Sequence, residues 1–257
     1  MSGGKSLAEP RAVEYLYDGS LAGLYCCVYE SVYEHEIPSG IHVEGESEPS
    51  FFIQRAIKTD PERAKRVRSS VRGKICVRAL ELIEGVFLSC LAEKELAILN
   101  FLLLGYREGA KTVSMMGHPV VSKLLKAERH MGGEVHLLKG FVRFSDYGGI
   151  LASEITPKNY VLPFLAPHFA ARYPEENFMI YDKTHKAALF CEKGRQRILP
   201  LEKVEFSEAD ETEKTYRAMW KQFYNTIAIA ERENPRLRMS HMPKRYWENM
   251  LEVKDLL

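Results

Sequence analysis

Near residue 141 the apolar residues change their period, and this limits the possible folds more than any other feature of the 257 residues. From Thr59 to about Leu138 they recur at helical intervals, with interruptions near Gly73, Gly85, Gly105, Gly109 and Gly117-His118-Pro119. From Phe141 onward they fall in short strand-like runs. Phe141–Ser145 and Ile150–Ile155 flank the turn residues Asp146-Tyr147-Gly148-Gly149, and Phe178–Tyr181, Ala187–Cys191 and Gln196–Leu199 follow. Between them, Asn159–Tyr173 has helical spacing, with Pro163 and Pro167 placed in its first turn or at a kink. The expected class is therefore α+β: a helical amino-terminal half, an antiparallel ββαβββ block, and a carboxy-terminal long helix with a wrapped arm.

Local signals divide the chain further. Tyr15–Asp18 reads as a strand, Ser20 as the cap of a helix carrying Leu21, Leu24, Tyr25, Val28 and Val32, and Phe51–Ile57 as another strand. Thr59-Asp60-Pro61-Glu62 is a helix start with proline at its first position. Residues 44–50 read as a loop, and Lys193-Gly194 as a tight turn. Ser207 with Asp210 opens the last long helix, whose face is marked by Tyr216, Met219, Trp220, Phe223, Tyr224 and Ile227, and Asn234-Pro235 stops it. The segments expected are a flexible tail at 1–10, a mainly helical region at 11–138, a sheet with one helix at 139–206, and the helix and arm at 207–257.

Composition narrows the class. With 46% hydrophobic residues the chain can bury a core, and no stretch is long and apolar enough for a membrane span or a signal peptide. Soluble, cytoplasmic residence is expected, with no membrane partner. The five cysteines form no C-x-x-C pair, which argues against a disulfide framework, a zinc ribbon or an iron–sulfur centre, so neither metal nor cofactor is expected.

The net charge of +1 conceals local cationic segments. Between Arg55 and Arg78 lie Lys58, Arg63, Lys65, Arg66, Arg68, Arg72 and Lys74, against only Asp60 and Glu62. On a helix from Pro61, Lys65, Arg68 and Arg72 share one face while Ala64, Val67 and Val71 form an apolar stripe. Arg129, Lys139 and Arg143 form a second cationic segment around Phe141 and Phe144, and Arg236, Arg238, Lys244 and Arg245 a third, beside Tyr246 and Trp247. Cations interleaved with rings suit a surface that holds phosphates and stacks bases. Solvated helix faces, core aromatics at Phe141 and Phe144, and a structural anchor at Trp247 are the alternatives.

These segments, together with Tyr15-Leu16-Tyr17-Asp18-Gly19-Ser20 and Val161-Leu162-Pro163-Phe164-Leu165-Ala166-Pro167-His168-Phe169, resemble a bacterial family of unknown function labelled as a DNA metabolism or repair protein. The resemblance runs from about Val13 to Trp247. In that family the gene often neighbours a radical-SAM protein with a helix-hairpin-helix element, and some relatives are fused to a uracil-DNA-glycosylase-like domain. The resemblance implies a DNA-directed accessory factor with that radical-SAM protein as partner, and DNA, single-stranded or damaged, as target.

Signatures of known reactions are missing. There is no P-loop, G-x-S-x-G, H-E-x-x-H or G-x-G-x-x-G, and His42-Val43-Glu44 lacks the cysteines of a zinc deaminase. His130, Glu134 and His136 do not converge on one helix face, which disfavours a metal. Were the chain an enzyme acting on a nucleobase or nucleotide, His136, His168 and Asp146 are its candidate acid–base groups. A third alternative is a protein-binding adaptor using the aromatic arm.

Overall fold

Strand β1 (Pro10–Tyr17) is flanked on both sides by parallel partners, β2 (Ile37–Val43) and β3 (Ile53–Ala56), in a computed structural model that describes residues 10–45, 50–204, 211–227, 239 and 242–250. Val13, Tyr15 and Tyr17 are buried, and so is Glu14, as befits a middle strand of a parallel sheet covered on both faces. This strand belongs to the first of two compact units, Met1–His130 and Met131–Leu257.

In the first unit, Ser20 caps α1 (Leu21–Tyr33), its Oγ accepting from the Gly23 amide at 2.9 Å. Asp18 braces the same corner: Oδ1 accepts from the Ser20 amide, and Oδ2 accepts from Thr59 Oγ1 at 2.8 Å. Asp60 caps α2 (Pro61–Ser70), accepting from the amides of Glu62 and Arg63, with Pro61 in the first turn. A π-helical turn (Val71–Ile75) follows, and then α3 (Val77–Phe87) and α4 (Lys94–Glu108). Their apolar stripes close over the sheet around Leu24, Val28, Val71, Leu82 and Phe101. Burying each such aliphatic or aromatic side chain stabilises by roughly 1.5–3 kcal/mol.

Helix α5 (Pro119–Phe141) contributes to both units and runs without a break through Gly132 and Gly133. The second unit continues with β4 (Ser145–Asp146), β5 (Ile150–Ile155), α6 (Leu162–Arg172), β6 (Asn177–Asp182), β7 (Ala187–Glu192), β8 (Arg195–Pro200) and α7 (Glu211–Ile227). The five strands lie in sequence order in one sheet. Lys193 and Gly194 both have positive φ, 47° and 79°, the two-residue turn that matches strand twist. Phe144 sits edge-on to Phe169, Tyr173 and Phe178.

Three expectations change. The amino-terminal half is a mixed α/β unit rather than a helical one, because β1, β2 and β3 form a sheet. The second sheet is mixed, since β5 and β6 pair in parallel across the α6 crossover while the other pairs are antiparallel. On the face of α7 that carries the apolar pattern, Tyr216, Met219 and Trp220 are exposed while Glu213 is buried, and the side chains of Phe223, Tyr224 and Ile227 lie outside the described residues. Most of the tail at 1–10, part of the 44–50 loop, the Ser207–Asp210 start and the Asn234-Pro235 stop lie outside the described residues, as does much of the arm. The part of the arm at 242–250 has Tyr246, Trp247 and Met250 buried. Among the described residues no helix is long and apolar enough to cross a membrane.

Candidate nucleic-acid interface

The nine cations between Arg55 and Arg78 fall into two classes once their partners are known. Arg55 reaches Glu36 at 2.6 Å, Arg63 lies near Glu30 and Asp60, Arg68 Nε donates to Glu84 at 2.9 Å, and Arg78 pairs with Glu128. Lys58, Lys65, Arg66, Arg72 and Lys74 are exposed and make no ion pair among the described residues. The cationic ridge expected at Lys65, Arg68 and Arg72 is thus interrupted in its middle, where Glu84 neutralises Arg68. Ala64, Val67 and Val71 are buried beneath it, as the helical spacing requires.

Two of the uncompensated cations border a cleft of about 900 Å³ in the first unit. Arg66 and Ser70, four residues apart, share the edge of α2 that faces it, and Lys74 follows in the π-helical turn. Tyr29 and Tyr33 line it from α1, one turn apart, with ring centroids 6.1 Å apart and planes 9° from parallel. Tyr106 of α4 lines it as well, its hydroxyl 2.7 Å from Ser70 Oγ. Burial pushes the Tyr106 phenol up, against the pull of that hydrogen bond.

Glu36, on the cleft wall, is the one acid of the lining among the described residues, and it is already matched. Its Oε1 accepts from Tyr15 Oη and from Arg55 Nη1, each at 2.6 Å. Burial, then the Glu36 hydrogen bond, raises the Tyr15 phenol far above its ordinary range, so it stays a donor. Tyr17 donates to Glu95 and Tyr25 to Glu84 in the same manner. The cleft is left with a net cationic, aromatic and hydroxyl-bearing lining.

The other expected cations are disposed differently. Arg129 is exposed in the first unit, and His136 and Lys139 are exposed on the part of α5 in the second. Arg143 Nη1 donates to the Gly140 carbonyl at 2.8 Å, and its guanidinium lies 6.0 Å from the Trp220 ring. Lys244 lies 5.6 Å from the Trp247 ring. Arg245 Nη2 is held by Glu134 at 2.8 Å, so this guanidinium already has a carboxylate partner. Arg236 and Arg238 lie outside the described residues. Phe141 lies obliquely against Tyr246, and Phe144 belongs to the aromatic cluster, so both half-buried rings already have aromatic neighbours.

Glu134 is held by groups other than its helix neighbours. It is a buried hub that accepts from the amides of Lys158 and Asn159, from Asn159 Nδ2, from Arg245 and from the Tyr246 hydroxyl. Burial alone would raise its carboxyl, but these donors overcome that and hold it below the usual carboxylate range.

The acid–base candidates do not assemble. Asp146 Oδ1 accepts from the Gly149 amide within its own turn, and His136 is exposed on α5. His168 Nε2 is buried without a partner, and burial together with Lys139 and Arg172 lowers its imidazole. No hydrogen bond or ion pair among the described residues links any two of the three. A different pair does form: the fully buried Asp182 holds His185 Nδ1 at 2.7 Å and accepts from the amides of Thr184 and His185, with Tyr160 edge-on to the imidazole. The available signal was an aspartate at the end of a strand, three residues before a histidine, in a tight turn. The cleft residues Tyr29, Arg66 and Tyr106 carry no motif and are far apart in sequence.

Residues 92–252 match the family described as "Domain of unknown function (DUF4130)". No curated protein matches the chain.

Proposed function

The chain belongs to the DUF4130 family, whose description names no reaction, and from that premise we propose that it is a nucleic-acid-binding accessory factor of DNA metabolism. The observation that carries this reading is a pair of cations, Arg66 and Lys74, that border an aromatic cleft and make no ion pair among the described residues, with Lys65 and Arg72 exposed on the same stretch of chain. Phosphates supply the missing anions, and released counterions supply the affinity. The radical-SAM protein with a helix-hairpin-helix element is proposed as partner on the strength of the resemblance above. Fluorescence anisotropy with single-stranded DNA, duplex DNA and RNA across a salt series tests the reading. A steep salt slope supports it, and no binding to any of the three at low salt removes it.

One observation favours a second reading, an enzyme acting on a nucleobase or nucleotide: a buried carboxylate orients an imidazole at Asp182 and His185. Turnover of an oligonucleotide that disappears in His185→Ala while binding persists supports it, and no turnover by the wild-type protein counts against it.

A further inference from the structure

We infer that the cleft of the first unit seats a single unpaired nucleotide, so that the protein engages a base only where it is already out of a duplex or can leave one. This rests on the nucleic-acid reading above and adds what is bound and where. The lining matches the parts of a nucleotide. Tyr29 and Tyr33 are parallel rings, Tyr33 is 69% exposed, and such rings stack on any base. Arg66 and Lys74 border the same cleft with no acid partner among the described residues, which suits the phosphates on either side of a base. The Ser70 and Tyr106 hydroxyls, 2.7 Å apart, share one hydrogen bond, which leaves a donor and acceptor sites for a base edge. Glu36 does not repel the phosphates, because Tyr15 and Arg55 already compensate it.

Charge and size point to the same occupant. A volume of about 900 Å³ lies within the roughly 300–1,000 Å³ of small-molecule pockets. A paired base is stacked on both faces and cannot present a face to Tyr29 or Tyr33. Entry therefore requires a single strand, a mismatch or an extruded nucleotide, with the unstacking cost lowest where pairing is already lost. Preference for unpaired DNA follows from this geometry, whereas a purely phosphate-tracking surface holds duplex as well as single strands.

The test uses the full chain and a single-stranded oligonucleotide carrying one 5-iodouracil. The strand is irradiated in complex, and the crosslinked peptide is identified by mass spectrometry. Affinities of Tyr33→Ala, Tyr29→Leu and Tyr106→Phe are measured beside it. A crosslink at Tyr29 or Tyr33 is expected, together with a roughly 5- to 100-fold loss of single-strand affinity in Tyr33→Ala, the equivalent of one base stack. Tyr33 is exposed, so this variant keeps its fold, which circular dichroism checks. Crosslinks confined to other segments, or tyrosine variants that bind as tightly as wild type, overturn the cleft as the base site while the wild-type salt slope still upholds the broader reading. No binding of the wild-type protein to any nucleic acid removes both.

Discussion

The Tyr246 hydroxyl donates to Glu134 Oε1 at 2.9 Å, across 112 positions of sequence. With Arg245 beside it, this bond fastens residues 242–250 to the end of α5 in the second unit. In Glu134→Gln an amide donor would face the amides of Lys158 and Asn159 and the half-buried Arg245 guanidinium, leaving buried donors without an acceptor and that cation without its charge partner. A loss of about 3–5 kcal/mol is expected for Glu134→Gln, and of about 1.5–3 kcal/mol for Tyr246→Phe. Urea denaturation of both variants checks the order. Equal stabilities for wild type and Glu134→Gln contradict the hub.

The tyrosine–glutamate pairs set a response to alkali. Burial raises the Tyr246 phenol to about 12, and it raises those of Tyr15, Tyr17 and Tyr25 still further. Because the folded-state values exceed the ordinary phenol value near 10, the associated stability is fully present below that pH. It is lost as the pH rises through the folded values. Thermal denaturation followed from pH 8 upward should hold level and then fall beyond pH ~10. Glu134 gives the opposite arm: its carboxyl is lowered, so its contribution is present above the ordinary carboxylate value and fades as the pH falls through the folded one.

Arg68 and Arg66 are two residues apart and should respond differently. Arg68 is bonded to Glu84, so Arg68→Ala exchanges an exposed ion pair worth about 0.2–1 kcal/mol and leaves nucleic-acid affinity nearly unchanged. Arg66→Ala removes an uncompensated charge and should reduce the single-strand salt slope by about 0.7. A double-logarithmic plot of affinity against salt for the two variants decides it. Identical slopes contradict the division of the cations into two classes.

Gly23 is where α1 leaves the β1 corner. A Cβ there would collide with Asp18 Oδ1 and press on Thr59 Oγ1 and Tyr17 Cδ2. Asp18 cannot yield without losing the Ser20 and Thr59 bonds, so Gly23→Ala should cost about 1–3 kcal/mol despite its better helix propensity. A melting temperature equal to or above wild type contradicts the close approach.

Local chemistry was legible and long-range pairing was not. Ser20, Asp60-Pro61 and Lys193-Gly194 are determined by neighbours a few residues away, so capping and turn rules find them. Strand β2 escaped notice because Pro38 and Gly40 spoil its pattern and its pairing with β1 supplies what propensity lacks. The helix between β5 and β6 was visible, yet its consequence, a parallel return, is a rule of connection rather than of residues. Arg68 and Arg245 read as free cations because Glu84 and Glu134 are neighbours only in space.

Strand β1 precedes both of its partners, and this orders the birth of the sheet. As the chain is synthesised, its middle strand emerges first and waits through α1 for β2, and until after Ala56 for β3. No hairpin can nucleate it, since both pairings are parallel and each must close a long loop. Early assembly of the first unit thus depends on α1 folding back promptly, and a nascent chain halted before β3 carries the edge of β1 open to any strand that meets it.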